Sequence, residues 1–128
     1  MSDESSYLPG QTIFQEGSPG NAIYLVRQGS VEIWRGSPAD RIVLGIIPPG
    51  GIFGEMACID DAPRMANARA IERTVLVRID ADRVRAALAR TDPIVRRLLA
   101  VILDSARRTA DRLEELRRDR APSAGADA

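Results

Sequence analysis

A mainly β chain with C-terminal helices, its β part a sandwich or jelly roll, is the fold class predicted by three observations. Short apolar runs cut by Gly, Pro, Asn and Asp follow one another from Tyr7 to Asp80, which is the spacing of strands in an all-β roll. After Asp80 the apolar positions change to a helical period and hold it to the Arg-rich end. Finally, 128 residues with 45% hydrophobic side chains fit one domain with a core of its own and no need of staples.

Taken in order, Met1 to Ser6 is polar and expected to fray. Residues 1–7 are therefore assigned to a flexible N-terminus. The domain is expected over residues 8–120, with the β-roll at about 8–80 and the helices at about 81–120. Thr12-Ile13-Phe14 is a brief strand, and Ala22 to Gln28 a longer one that ends at the Gly29 turn. From Ser30 to Arg35, Val31 and Ile33 alternate with Glu32 and Trp34, a half-buried strand pattern. Gly36-Ser37-Pro38-Ala39-Asp40 is a hairpin turn by composition. Arg41 to Ile47 is the return strand, closed by Pro48-Pro49-Gly50-Gly51. Ala66 to Ala70 and Val75 to Ile79 supply the last strands.

Asp80 or Asp82 can cap a helix that runs to about Arg90. Thr91-Asp92-Pro93 is a second start signal, with Pro in the first helical turn. The helix it opens should run to about Arg120. Val95, Leu99, Ile102, Ala106, Thr109, Leu113 and Leu116 alternate gaps of four and three along it, a heptad seam that predicts a homodimer. Its Arg residues interleave with Asp104, Asp111, Glu114, Glu115 and Asp119, so a solvated face with i,i+4 pairs is the better reading than a nucleic-acid surface. Residues 121–128 are small and polar, a loose tail.

Composition excludes several functions. The 18 basic residues balance 18 acidic ones, so no net field argues for nucleic acid or an anionic membrane. The chain has no His, which removes the usual general base, the Ser-His and Cys-His nucleophile pairs and the commonest metal ligand. Cys58 is alone and reads as a small buried apolar residue. No apolar run is long enough to span a membrane and no signal peptide is visible. No enzyme, no metal, no membrane partner and a cytoplasmic location are therefore the expectations.

The stretch that carries chemistry runs from Gly54 to Ala70. Gly54 permits a close backbone approach. Met56 to Ile59 fits a single helical turn, whose free N–H groups form an anion site. Pro63 ends that turn before Arg64. A carboxylate at Glu55 and a guanidinium at Arg64 suit a ligand with hydroxyls at one end and phosphate at the other. The bland alternative makes Glu55 a turn carboxylate and Arg64 its salt-bridge partner.

Phe53-Gly54-Glu55-Met56-Ala57 followed by Ala62-Pro63-Arg64-Met65-Ala66 resembles the phosphate-binding cassette of the cyclic nucleotide-binding domain. Glu16-Gly17-Ser18-Pro19-Gly20-Asn21 resembles that family's early glycine turn. Ala22-Ile23-Tyr24-Leu25-Val26 and Gly29-Ser30-Val31-Glu32-Ile33 resemble the two strands after it, and the likeness spans about Leu8 to Leu116. It implies a double-stranded β-helix, or jelly roll, with two C-terminal helices, the last of which closes over the base. It also implies roles. Glu55 would hold the ribose 2′-hydroxyl, Arg64 the cyclic phosphate, and the amides of Met56 and Ala57 would support that phosphate. Gly54, Met65 and Ala66 complete the expected ligand-binding set.

The sequence departs from the family at Met65, where Ala, Ser or Thr is usual, at Asn67, where Thr is common, and in having almost no chain for helices ahead of the barrel. The implied function is a stand-alone cyclic nucleotide-binding regulatory module. Its ligand would be cAMP, with cGMP second, and it would signal through its C-terminal helices to an unidentified partner protein. The alternative is an interaction module of the same fold that has lost its ligand. A metal enzyme on a similar barrel is disfavoured by the lack of His. Trp34 is expected to pack beside the hairpin rather than stack on a base. Replacing Arg64 by Ala is expected to abolish binding and leave the fold intact.

Overall fold

The computed structural model describes residues 3–55, 57 and 62–120. The element order is β1 (Glu4–Tyr7), β2 (Thr12–Phe14), β3 (Ala22–Gln28), β4 (Val31–Ser37), β5 (Asp40–Ile47), β6 (Ile52–Phe53), β7 (Asn67–Ala70), β8 (Thr74–Asp80), then α1 (Ala81–Ala89) and α2 (Pro93–Arg120). Two antiparallel four-stranded sheets, ordered β1-β8-β3-β6 and β2-β7-β4-β5, face each other. Apart from the β4–β5 hairpin, neighbours in both sheets are not consecutive in the chain. That is the roll expected from the sequence.

Inward residues of both sheets meet in one core. Ala22, Tyr24 and Val26 of β3, Val31 of β4, Phe53 of β6, Ala68 of β7 and Leu76 of β8 are buried there. Tyr24 and Phe53 stack with ring centroids 5.3 Å apart, and Phe14 lies 5.8 Å from Phe53. Apolar burial of this kind is the main favourable term in folding. The chain then leaves β8 directly into α1, whose Ala81 and Val84 pack on Ile23 and Ile79. Asp80 sits at the N-cap position of α1 but makes no side-chain cap bond. Its carboxylate pairs instead with Arg78. Asp92 does cap α2, its Oδ1 accepting from the Ile94 N–H at 2.8 Å.

Three expectations change. Glu4–Tyr7, assigned to a flexible N-terminus, is an edge strand in register with β8 from Glu4–Val77 to Tyr7–Thr74. Its residues are polar because one edge and one face meet water, and Glu4 pairs with Arg27 on β3. The outer face of β4 is not open to solvent. Glu32 is buried between Arg69 and Arg41, at 2.8 and 3.0 Å. The Arg41 guanidinium also lies 5.5 Å from the Trp34 ring, so Trp34 packs beside the hairpin as expected. The heptad seam of α2 divides into two. Its members Ala106, Thr109 and Leu113 line a cavity of the roll, beside Ala110 and the buried Leu103, whereas its members Val95, Ile102 and Leu116 are exposed, as is Leu98 off the seam. Among the described residues no helix is long and apolar enough to cross a membrane, and no cluster of His, Cys, Asp or Glu could hold a metal ion.

Candidate functional site

Gly54 turns the chain out of β6 with φ +84°, a conformation that glycine adopts without penalty. A Cβ here would stand 2.6 Å from Arg64 Nη1, so the glycine also makes room for the arginine. Glu55 and Ala57 have helical backbone, and Ala57 is buried. Ala57 presses on Gly20, where an added Cβ would meet its Cβ at 2.2 Å. Met56, Cys58 and Ile59 of the expected helical turn lie outside the described residues.

The early glycine turn holds the far side of the cassette. The Arg64 N–H donates to the Ser18 carbonyl at 2.8 Å, and the Arg64 carbonyl accepts from the Gly17 N–H at 2.8 Å. Pro19 and Pro63 form a bridge between the two segments. Asn67 is not a pocket residue. Its Oδ1 accepts from the Glu16 N–H at 2.8 Å and its Nδ2 donates to the Trp34 carbonyl at 3.3 Å. It ties the turn to β4 where the family commonly has Thr.

Arg64 is 3% exposed. Its Nη1 donates to the Gly54 carbonyl at 2.9 Å and its Nη2 to the Ala22 carbonyl at 2.7 Å. The Phe14 ring lies against the guanidinium at 4.1 Å, a cation–π contact. The carbonyl contacts alter one expectation, because they make Arg64 part of the fold.

A cavity of about 290 Å³ opens beside it, at the lower end of the roughly 300–1,000 Å³ usual for small-molecule sites. Gly54, Glu55, Ala57, Arg64, Met65 and Ala66 line it from the cassette. Ile33, Leu44 and Ile47 line it from β4 and β5, and Ala106, Thr109, Ala110 and Leu113 cover it from α2. All the described members of the expected ligand-binding set are thus brought to one cavity. The α2 contribution was not assigned by residue from sequence. Its signal was present, since Ala106 and Ala110 are small residues one turn apart and allow a helix to lie close.

A second buried arginine stands behind the cassette. Arg35 Nε donates to the Met65 carbonyl at 2.7 Å, and Nη1 donates to Asp111 Oδ1 and Glu114 Oε1, each at 2.8 Å. Glu114 also accepts from Arg118 at 2.8 Å. The hydrogen bonds from Arg118 and then Arg35 hold the Glu114 carboxyl below the usual carboxylate range. Burial disfavours the Arg35 cation, but its bonds to Glu114 and Asp111 outweigh that and raise its pKa. Nearby, Arg117 donates to the Val43 carbonyl, and Arg118 pairs with Asp40 at 3.5 Å. The last turns of α2 are therefore tied to the β4–β5 hairpin by charge.

The family model for the cyclic nucleotide-binding domain matches residues 4–91, and the chain belongs to that family. It is 36% identical over 108 residues to the CRP-like cAMP-activated global transcriptional regulator of Mycobacterium tuberculosis, covering 84% of this chain and 48% of that protein. The chain thus spans about half the length of this regulator and of the cyclic AMP receptor protein of Thermus thermophilus, which it also matches. Among solved structures it resembles the cAMP-bound form of the EAL enzyme Bd1971, with a TM-score of 0.77 at 32% identity over 91% of this chain and 32% of that one. The cGMP-bound form of the same enzyme gives a TM-score of 0.77 at 33% identity, over 82% of this chain and 28% of that one.

Proposed function

We propose that this chain binds a cyclic purine mononucleotide, cAMP in preference to cGMP, and passes the occupancy of its cavity through α2 to a partner protein. The carrying observation is that the buried Arg64 and Glu55 line one cavity that α2 covers. Arg64 holds the cyclic phosphate, whose geometry matches the guanidinium fork, with the amides of Met56 and Ala57 in support. Glu55 accepts from the ribose 2′-hydroxyl. The purine lies against Met65 and the apolar wall of β4, β5 and α2. Names of relatives, a cAMP-activated regulator and an enzyme solved with cAMP and with cGMP, support this ligand class. A thermal-shift screen over cAMP, cGMP and cyclic dinucleotides tests it. A ligand at a hundred times its Kd should add roughly 2.7 kcal/mol of stability. No shift with any of them would favour an interaction module that has lost its ligand.

The chain is also proposed to form a homodimer through the first half of α2. Leu98 and Ile102 are 56% and 60% exposed there, on one flank with Ile94, Val95 and Val101, an apolar stripe that a second copy would cover. Leu113 lines the cavity and is no part of this flank. Sedimentation of wild type and Ile102→Asp at tens of micromolar is the check, with a dimer expected only for wild type.

A further inference from the structure

Arg35 has no place in the ligand contacts above, yet it is 8% exposed and spends its donors on two separate parts of the site. Nε reaches the carbonyl of Met65, the residue after Arg64. Nη1 reaches Asp111 and Glu114, which directly follow, respectively, Ala110 and Leu113 of the cavity cover. A guanidinium is planar, with its donors fixed relative to one another. Nε and Nη1 cannot both keep their partners unless the cassette exit and α2 hold their present relation. The acids sit on the solvent side, the Asp111 side chain being 63% exposed and that of Glu114 24%. They can therefore leave for water when α2 lifts, whereas Arg35 cannot follow.

We propose that Arg35 is the positioning residue that couples the nucleotide cavity to α2, latching Asp111 and Glu114 while the Met65 carbonyl stands at its Nε. This rests on the cyclic nucleotide reading and deepens it. With the latch made, Ala106, Thr109, Ala110 and Leu113 seal the cavity. With it broken, that cover opens and the ligand escapes. Ligand then shifts the equilibrium because it has more contacts in the latched state. The latch acts on escape rather than on encounter, as most changes within one binding interface do.

Release of a fluorescent cAMP analogue, with hydrogen exchange of residues 106–118 in the presence and absence of cAMP, tests this on four proteins. These are the wild type, Arg35→Met, the helix-side pair Asp111→Asn with Glu114→Gln, and the triple variant. Arg35→Met and the helix-side pair should each release the analogue about tenfold faster, the scale of a lost charged hydrogen bond. The triple should be no faster than Arg35→Met alone, since partners in one network are not additive. Protection of residues 106–118 by cAMP should shrink in all three. Wild-type release in Arg35→Met, additive effects in the triple, or undiminished protection would overturn the latch. If Arg35→Met does not fold, the helix-side pair decides, because a merely structural need for Arg35 in β4 would leave that pair with wild-type release. Failure of the wild type to bind cAMP or cGMP overturns the nucleotide reading and the coupling with it. Binding with unaltered release in the variants overturns the coupling alone.

Discussion

Arg64 and Arg35 are both buried and stand on either side of the same short segment, but their partners differ in kind. Arg64 donates to the carbonyls of Gly54 and Ala22, which belong to the roll itself. Arg35 donates to one carbonyl and to two carboxylates carried by α2. Burying a charge is costly unless it is hydrogen-bonded or paired, and the two sites meet that requirement in ways that suit different tasks. The Gly54 and Ala22 carbonyls hold the Arg64 fork at the cavity wall. Carboxylates neutralise Arg35 and make its environment depend on where α2 lies. On the reading proposed above, one arginine meets the ligand and the other registers a helix.

The largest expected effect comes from removing the first of the two. Arg64→Ala should lower cAMP affinity by roughly 1.5–3 kcal/mol, tenfold or more, through loss of a charged hydrogen-bonding partner to phosphate. It should also lower thermal stability, since the buried carbonyls of Gly54 and Ala22 lose their donor, at about 1–3 kcal/mol for each group left unsatisfied. Calorimetry of binding and a melting curve on the same protein check both. Equal cAMP affinity in the variant would mean that the phosphate sits elsewhere, and the contrast between the arginines would collapse.

Acid provides a smaller and more selective perturbation. Carbonyls do not titrate in the carboxylate range, whereas Glu114 does. Its pKa is held down by Arg118 and Arg35, so its folded value lies below its unfolded one. The stability it contributes is then present above the ordinary Glu pKa and is lost as pH falls through the depressed folded value. Glu32 behaves in the same sense, because its hydrogen bonds to Arg69 and Arg41 outweigh the effect of burial. The last turns of α2 should therefore loosen in acid while the Arg64 contacts persist. The side-chain carboxyl NMR signal of Glu114 should titrate below the ordinary Glu value, and the amide signals of residues 64–66 should move less. Titration of Glu114 at or above that value would remove the electrostatic hold assigned to Arg35 and Arg118.

How much of this was legible in sequence follows from how local each signal is. The strands from Thr12 to Ile79 announced themselves by apolar runs between turn residues, and Asp92-Pro93 marked the start of α2. The cassette was legible because Gly54, Glu55, Pro63 and Arg64 lie within a few residues of one another. β1 was not, because Glu4–Tyr7 is held by pairing with β8 and has no apolar pattern of its own. Arg35 stood in the sequence only as the last residue of the strand that starts at Ser30. Its carboxylate partners lie 76 and 79 residues further along the chain, beyond any local pattern. The α2 seam was drawn as one series from Val95 to Leu116, because gaps of four and three do not say which part the roll covers. Only the position of the roll shows that Leu103 and Ala110 face inward and Val95 and Ile102 outward.

The smallest expected effect concerns which purine the Arg64 side of the cavity accepts, and it turns on Met65. The structure puts this residue in the cavity wall and fixes its carbonyl on Arg35, so its side chain is presented from a held backbone. The EAL enzyme Bd1971 has been solved with cAMP and with cGMP, and the preference proposed for this chain rests on particular side chains. In the family, a hydroxyl at this position can hydrogen-bond the guanine 2-amino group. A thioether is only a weak acceptor. Guanine bound here would leave that amino group desolvated without a good partner, at a cost of roughly 1–3 kcal/mol, whereas adenine has no such group. Methionine can also lie against the purine and fill gaps in the wall, a contact both bases share. Wild type should therefore bind cAMP more tightly than cGMP. Met65→Thr should narrow the difference by improving cGMP more than cAMP, with Arg64 and Arg35 untouched. Competition binding of both nucleotides to both proteins is the measurement. Equal affinities in wild type, or a ratio that Met65→Thr does not move, would place the choice of base on α2 rather than on the cassette.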